Sequence, residues 1–214
     1  MKTFCSVLII VAICLAGCSR EEIKGNGVIK TETRPITEFS SLVVNGGYRV
    51  KWSPGKPMFT ISADDNLLPL IKTTLHGETL EIASKENLAP TKDITITVSS
   101  SGLDSIRLNG GIRFHASELA RRKFKIESSG AADITIAGSV SDLEAHMMGA
   151  SHLTARSLQV ETANLSLLGA SDAHVNVSDS LRVSILGAGS VVYSGNPKTV
   201  EQKITGTGKV QPSR

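Results

Sequence analysis

The sequence predicts an all-β protein built as a parallel β-helix, and two observations predict it. The first is a repeat: Gly130, Gly149, Gly169 and Gly187 lie 19, 20 and 18 residues apart, and each is followed by alanine, at Ala131, Ala150, Ala170 and Ala188. The second is the alternation around those glycines. The positions six, four and two before them read Phe124-Ile126-Ser128, Leu143-Ala145-Met147, Ala163-Leu165-Leu167 and Leu181-Val183-Ile185, with Lys125, Glu127, Glu144, His146, Asn164, Ser166, Arg182 and Ser184 between. Period two with one apolar face is the pattern of a strand. A unit of about 20 residues cannot bury its apolar face alone, so stacked copies, a solenoid, are the stable solution.

Each unit reads as a strand, a tight Gly-Ala corner and a second strand, since alternation resumes at Ile134 and Ile136, Leu153 and Ala155, Ala173 and Val175, and Val191 and Tyr193. Glycine suits the corner because a sharp bend between strands often needs positive φ. Coils stacked about 4.8 Å apart turn each sequence column into a ladder of side chains. A narrow interior also accounts for an aromatic content of only 4%.

The N-terminus has the layout of an export signal. Lys2 precedes an apolar run from Val7 to Ala16, too short to span a bilayer, and the run ends in Leu15-Ala16-Gly17-Cys18-Ser19. That ending resembles a bacterial lipobox, which implies a signal peptide over residues 1–17, a diacylglycerol thioether on Cys18 and a membrane partner reached through the lipid. Several acyl chains at about 0.8 kcal/mol per buried CH₂ make a stable anchor. Ser19, where an aspartate would retain the lipoprotein at the inner membrane, points to the outer membrane of the bacterial envelope. Residues 18–24 then form a short lipidated tether, and residues 25–214 form a single solenoid domain. Cys5 and Cys14 leave with the signal and Cys18 carries lipid, so no disulfide framework is expected. Removing Lys2 leaves 22 basic against 20 acidic residues, a balance that gives no reason to expect nucleic acid as a partner.

The first half is less regular. Leu42, Val44, Tyr48, Val50 and Trp52 alternate around Asn45-Gly46-Gly47, and Ile106, Leu108 and Phe114 do so around Asn109-Gly110-Gly111. These read as variant coils or an N-terminal cap. Between them, Asp64 to Ile71 suits a short helical turn, Leu75 to Ile82 a hairpin through His76-Gly77, and Thr91 to Ser99 a strand. Ile204 to Val210 closes the last coil, with Pro197, Pro212 and nearby charges discouraging end-to-end pairing.

From roughly residue 25 to 210 the chain resembles the bacterial family called putative auto-transporter adhesin, head GIN domain. The resemblance is carried by Arg34-Pro35-Ile36-Thr37-Glu38-Phe39, Val43-Val44-Asn45-Gly46-Gly47, Ala63-Asp64-Asp65-Asn66-Leu67-Leu68, the Gly-Ala-Ser repeats, and Gly187-Ala188-Gly189-Ser190-Val191-Val192-Tyr193-Ser194-Gly195-Asn196-Pro197 with Gly206-Thr207-Gly208. It implies a right-handed parallel β-helix on exported, often lipid-anchored proteins, without an established enzymatic activity. His152 stands where family members often carry Asp or Asn.

Few motifs carry chemistry. Gly187-Ala188-Gly189-Ser190 follows a strand as a dinucleotide turn would, but Val192 occupies the third glycine position and no helix follows, so no cofactor is expected. Asp133, His152, Asp172 and Ser190 each stand three residues after an aligned glycine, which stacking places in one ladder. Such a ladder could contact a ligand; its bland counterpart is a solvated turn column bonded to its own backbone. Rungs set about 4.8 Å apart favour separate contacts over one closed metal sphere, so no metal site or catalytic residue is assigned. Arg121, Arg122, Lys123 and Lys125 form a basic patch of the kind that touches lipid headgroups or acidic glycans. The expected function is a non-enzymatic binding, adhesion-like or structural module of the envelope, with a glycan or envelope protein as partner. The alternatives are a polysaccharide-active β-helix hydrolase or lyase, and a scaffold that self-associates through an open solenoid end.

Overall fold

The computed structural model describes residues 22–213. The signal region, Cys18 and most of the expected tether lie outside the described residues. The described part of that tether, Glu22–Lys24 (β1), pairs in parallel with Asn87–Ala89 (β8), so these three residues pack as a strand on the body.

The chain forms a β-solenoid. After β1 come Ile29–Thr33 (β2), Ser41–Asn45 (β3), Arg49–Pro54 (β4) and Met58–Asp64 (β5), then a 3-10 turn at Leu68–Leu70. Ile71–His76 (β6) and Thr79–Ser84 (β7) form the hairpin expected around His76-Gly77. Beyond β8, Thr95–Ser100 (β9) and Ser105–Gly110 (β10) lead into four long bent strands: Arg113–Gly130 (β11), Asp133–Gly149 (β12), His152–Gly169 (β13) and Asp172–Gly187 (β14). Ser190–Ser194 (β15), Thr199–Gly206 (β16) and Lys209–Pro212 (β17) finish the stack.

Each long strand contributes to both arms of a coil. One arm stacks β7, β3, β10, the second halves of β11 to β14, and β16; the other stacks β9, β4, the first halves of β11 to β14, β15 and β17. Coil lengths differ, yet the columns stay aligned because bulges after Ala116, Thr135 and Ala155 absorb the difference. The alternation read from the sequence is the observed burial: Phe124, Ile126, Ala145, Met147, Leu165, Leu167, Val183 and Ile185 all point inward.

The first coils are stacked out of sequence order. Residues 79–100 supply the first parallel rung, residues 41–54 lie above it, and the chain then returns at Ser105 to build on the 41–54 coil. Antiparallel β2 and β5 extend the arm at β9, and β6 extends the other at β7.

The motifs shared by resemblance in this half hold the chain together. Asp64, fully buried, accepts hydrogen bonds from the Gly27 N–H at 2.7 Å and from the Thr91 N–H and hydroxyl at 2.9 and 2.6 Å. The Thr91 hydroxyl leads the hydrogen bonds that hold this carboxyl below its ordinary range. A Cβ at Gly25 would fall 2.4 Å from that carboxylate, which is why glycine stands there. Asp65 takes bonds from Asn26 and Lys30, and Asn66 donates to the Lys24 carbonyl, so Asp-Asp-Asn pins the N-terminal segment to the body. Arg34 donates to the carbonyls of Leu68 and Ile71 at 2.9 and 2.6 Å, fastening the 3-10 turn.

Candidate functional site

The corner between the two arms organises the surface. Gly46, Gly110, Gly130, Gly149, Gly169, Gly187 and Gly206 form one column, three more members than the four regular repeats reveal. All have positive φ, from +101° to +138°. They also touch: a Cβ on Gly110, Gly149, Gly169, Gly187 or Gly206 would lie 2.2 to 2.6 Å from the carbonyl oxygen of the glycine on the rung before. Conformation and rung spacing thus both demand glycine, and hydrogen bonds continue around the bend, as from Ala170 N–H to Gly149 O at 2.9 Å.

Two positions past the glycine the side chain points into the corner at Tyr48, Ile112, Ala132, Ser151 and Ser171, and on the next rung Gly189 leaves no room for one. The two serines use their hydroxyls inside the corner, one on a neighbouring side chain and one on backbone. Ser151 Oγ accepts from Ser128 Oγ at 3.0 Å, and Ser171 Oγ donates to the Gly149 carbonyl at 3.3 Å. Buried hydroxyls are thereby satisfied without water.

Three positions past each glycine lies the outward ladder. The register pairs Asp133 with His152, His152 with Asp172 and Asp172 with Ser190, as the sequence predicts, and extends the ladder to Arg49 and Arg113 before Asp133 and to Lys209 after Ser190. Those three residues obey the same glycine-plus-three rule and were missed because their coils depart from the Gly-Ala pattern. Asp172 is already engaged, since Oδ1 accepts from the Ser190 N–H at 3.0 Å and from its hydroxyl. The His152 ring meets His174 edge to face with centroids 5.6 Å apart. His174 Nδ1 accepts from Arg156 at 2.9 Å, and partial burial, reinforced by the Arg156 charge, lowers its pKa.

The N-terminal end of this ladder opens into a cleft of about 800 Å³, lined among others by Tyr48, Arg49, Glu86, Leu88, Asp93, Arg113 and Asp133. Asp93 bridges Arg49 and Arg113 at 2.5 and 2.9 Å, and the two guanidinium groups, Arg49 foremost, hold its carboxyl below the usual range. Burial pushes the Tyr48 phenol up to about 12, so it stays protonated. A cleft of this size can hold a small ligand or a few units of a longer one.

The other candidates resolve less dramatically. Among the described residues no group of three or more His, Cys, Asp or Glu could hold a metal ion. In the basic patch, Arg121 pairs with Asp104, Lys123 with Glu144 and Lys125 with Glu127, so three of its four cations are neutralised by neighbours. One column the sequence reading did not single out, at the residue before each glycine, turns from Asn45 and Asn109 to exposed Met148, Leu168 and Leu186 along the stack.

Comparison with known proteins agrees with the fold. A crystal structure of a putative adhesin from Bacteroides fragilis superposes with a TM-score of 0.74 at 20% identity, covering 89% of this chain and 100% of that one. One from Parabacteroides merdae, also described as a putative adhesin, gives 0.58 at 19% identity over 90% and 99%. A structure from Parabacteroides distasonis described as a putative lipid binding protein gives 0.51 at 18% over 91% and 100%. No protein with a curated description matches. The family described as putative auto-transporter adhesin, head GIN domain matches residues 38–197, from the strand before the first glycine corner through the last Gly-Asn-Pro turn, and the chain belongs to that family.

Proposed function

We propose that this protein is a lipid-anchored, non-enzymatic binding module of the bacterial envelope that takes an extended polar ligand, such as a glycan strand, along its outward ladder. The carrying observation is the continuity between the cleft at Arg49, Asp93 and Arg113 and the column that runs on through Asp133, His152, Asp172 and Ser190. Donors and acceptors then repeat every rung, about 4.8 Å apart, a spacing suited to successive contacts along a chain. Asp93 is ill suited to act as a general acid, since that role needs a raised pKa and its two arginines shift it the other way. The family's description as an adhesin is consistent with binding, and a lipobox-like Cys18 accounts for retention at the envelope.

The anchor and the ligand face are tested separately. Metabolic labelling with an alkynyl fatty acid should mark the wild-type chain and not Cys18→Ser; equal labelling of the two removes the anchor. Retention on a panel of immobilised acidic and neutral polysaccharides should fall for Arg113→Glu, and a panel that retains both proteins alike removes the ladder as the ligand face.

A further inference from the structure

The last described rung of one arm is bare on its far side. In β14 the inward residues Leu181, Val183 and Ile185 are 0 to 1% exposed, whereas their partners on the next rung, Val200, Gln202 and Ile204 of β16, are all exposed, Val200 at 37% and Ile204 at 38%. β16 pairs with β14 on one side, and among the described residues no strand pairs with its other edge. An open, eight-residue edge over an uncovered apolar row is a template for another strand. The other arm of the last rung is less suited to that, because β17 is short and ends at Pro212, which has no N–H to offer.

The sequence of β16 says what strand fits. Two copies running antiparallel keep inward residues opposite inward ones only when the two-fold passes through a residue, and near the middle of the strand there are three choices. Centred on Glu201, the pairing sets two glutamates face to face; centred on Lys203, two lysines. Centred on Gln202, it sets Glu201 opposite Lys203 twice, Val200 opposite Ile204 twice, Thr199 opposite Thr205 twice, and Gln202 opposite itself. Like charges directly opposite are destabilising and opposite charges stabilising, so the charges select this one register. The side-chain amide of Gln202 both donates and accepts, so it is self-complementary on a two-fold axis. Val200 and Ile204 of both copies would then continue the apolar rows of β14.

We propose that β16 is a self-docking edge, on which a second copy of this chain adds its own β16 antiparallel about a two-fold at Gln202, joining two solenoids end to end. The pairing is isologous and closes, giving a dimer rather than a fibre. On this reading the charges at this end act selectively: Glu201 and Lys203 oppose the wrong registers and favour one. The docking stands independently of the ligand ladder, which lies on the outward surface at the glycine corner.

The test uses the full chain extracted in mild detergent, with mass measured by sedimentation across concentration. Wild type should be dimeric, Lys203→Glu should weaken self-association at least about tenfold, and the charge swap Glu201→Lys with Lys203→Glu should restore it. Lys203→Glu is the cleaner single change, since it leaves the Arg182–Glu201 pair intact. Gln202→Cys should cross-link to itself on mild oxidation, because opposed residues of antiparallel strands sit about 4.5 to 5.5 Å apart at Cα, within disulfide range. Val200→Cys should cross-link only when mixed with Ile204→Cys, and wild type controls for Cys5, Cys14 and Cys18. A monomeric wild type with no cross-link at Gln202, or a dimer indifferent to Lys203→Glu, overturns the proposal.

Discussion

Replacing Gly169 with alanine isolates the two demands made at the glycine corner. Gly169 has φ +101°, and its added Cβ would lie 2.6 Å from Gly149 O. That oxygen belongs to backbone and cannot rotate away. Restoring ordinary contact moves the rungs apart by several tenths of an ångström, which stretches the 2.9 Å hydrogen bond from Ala170 N–H to Gly149 O past useful length. The strained φ costs about 1–3 kcal/mol and the lost bond about 1 kcal/mol, so the change should destabilise by about 2–4 kcal/mol. For a domain of this size that is a fall in Tm of roughly 4–16 °C, read by thermal unfolding followed by circular dichroism. Gly77 is the control: it has φ +59° but open space where its Cβ would go, so Gly77→Ala should cost only about 1 kcal/mol and Gly77→Asn almost nothing. Equal, small shifts at Gly169 and Gly77 would refute the stacking argument.

Arg34→Ala should destabilise by about 2–3 kcal/mol in chemical denaturation, because it strips the Leu68 and Ile71 carbonyls of a charged donor, and Arg34→Lys should recover less than half, since one ammonium cannot reproduce the fork. His174 is neutral when it accepts from Arg156, and its lowered pKa means the unfolded chain takes the proton first; stability should therefore drop as pH falls below the ordinary histidine value of 6.5, with Arg156, His152 and Asp172 as its charged or titratable neighbours. His174→Gln should flatten that part of a Tm-against-pH profile, and an unaltered profile would assign the pH dependence elsewhere. Alanine at Asp133, His152 and Asp172 together should lower Tm only modestly, with the Asp172–Ser190 bonds the main loss, and a collapse of the fold would show the ladder to be structural.

The regular half was legible because its repeat is contiguous: once Gly130, Gly149, Gly169 and Gly187 are aligned, the inward residues flanking each corner and the ladder from Asp133 to Ser190 follow from period two, whereas Leu119, Val140 and Leu158 beyond the bulges do not. The hairpin at His76-Gly77, the turn near Leu68 and the closing strands came from local turn chemistry in the same way. The stacking order of the first coils was not legible, since the rung from residues 79–100 lies outside the one from 41–54 and no local pattern encodes that non-local choice. For the same reason Arg49 and Arg113 were not joined to the ladder, and the cleft they share with Asp93 was invisible. Glu22–Lys24 looked like tether because three charged or apolar residues carry no strand signal until β8 is there to pair with them.

The central functional claim is that the ladder holds a polymer without cutting it. The direct measurement incubates the full chain with a retained polysaccharide and follows, in the same sample, bound protein and newly released reducing or unsaturated ends. Retention that needs Arg113 and proceeds without any release of ends is the predicted result. Release of ends that disappears in the Asp133, His152, Asp172 alanine variant would contradict it and make the protein a polysaccharide-cleaving β-helix enzyme.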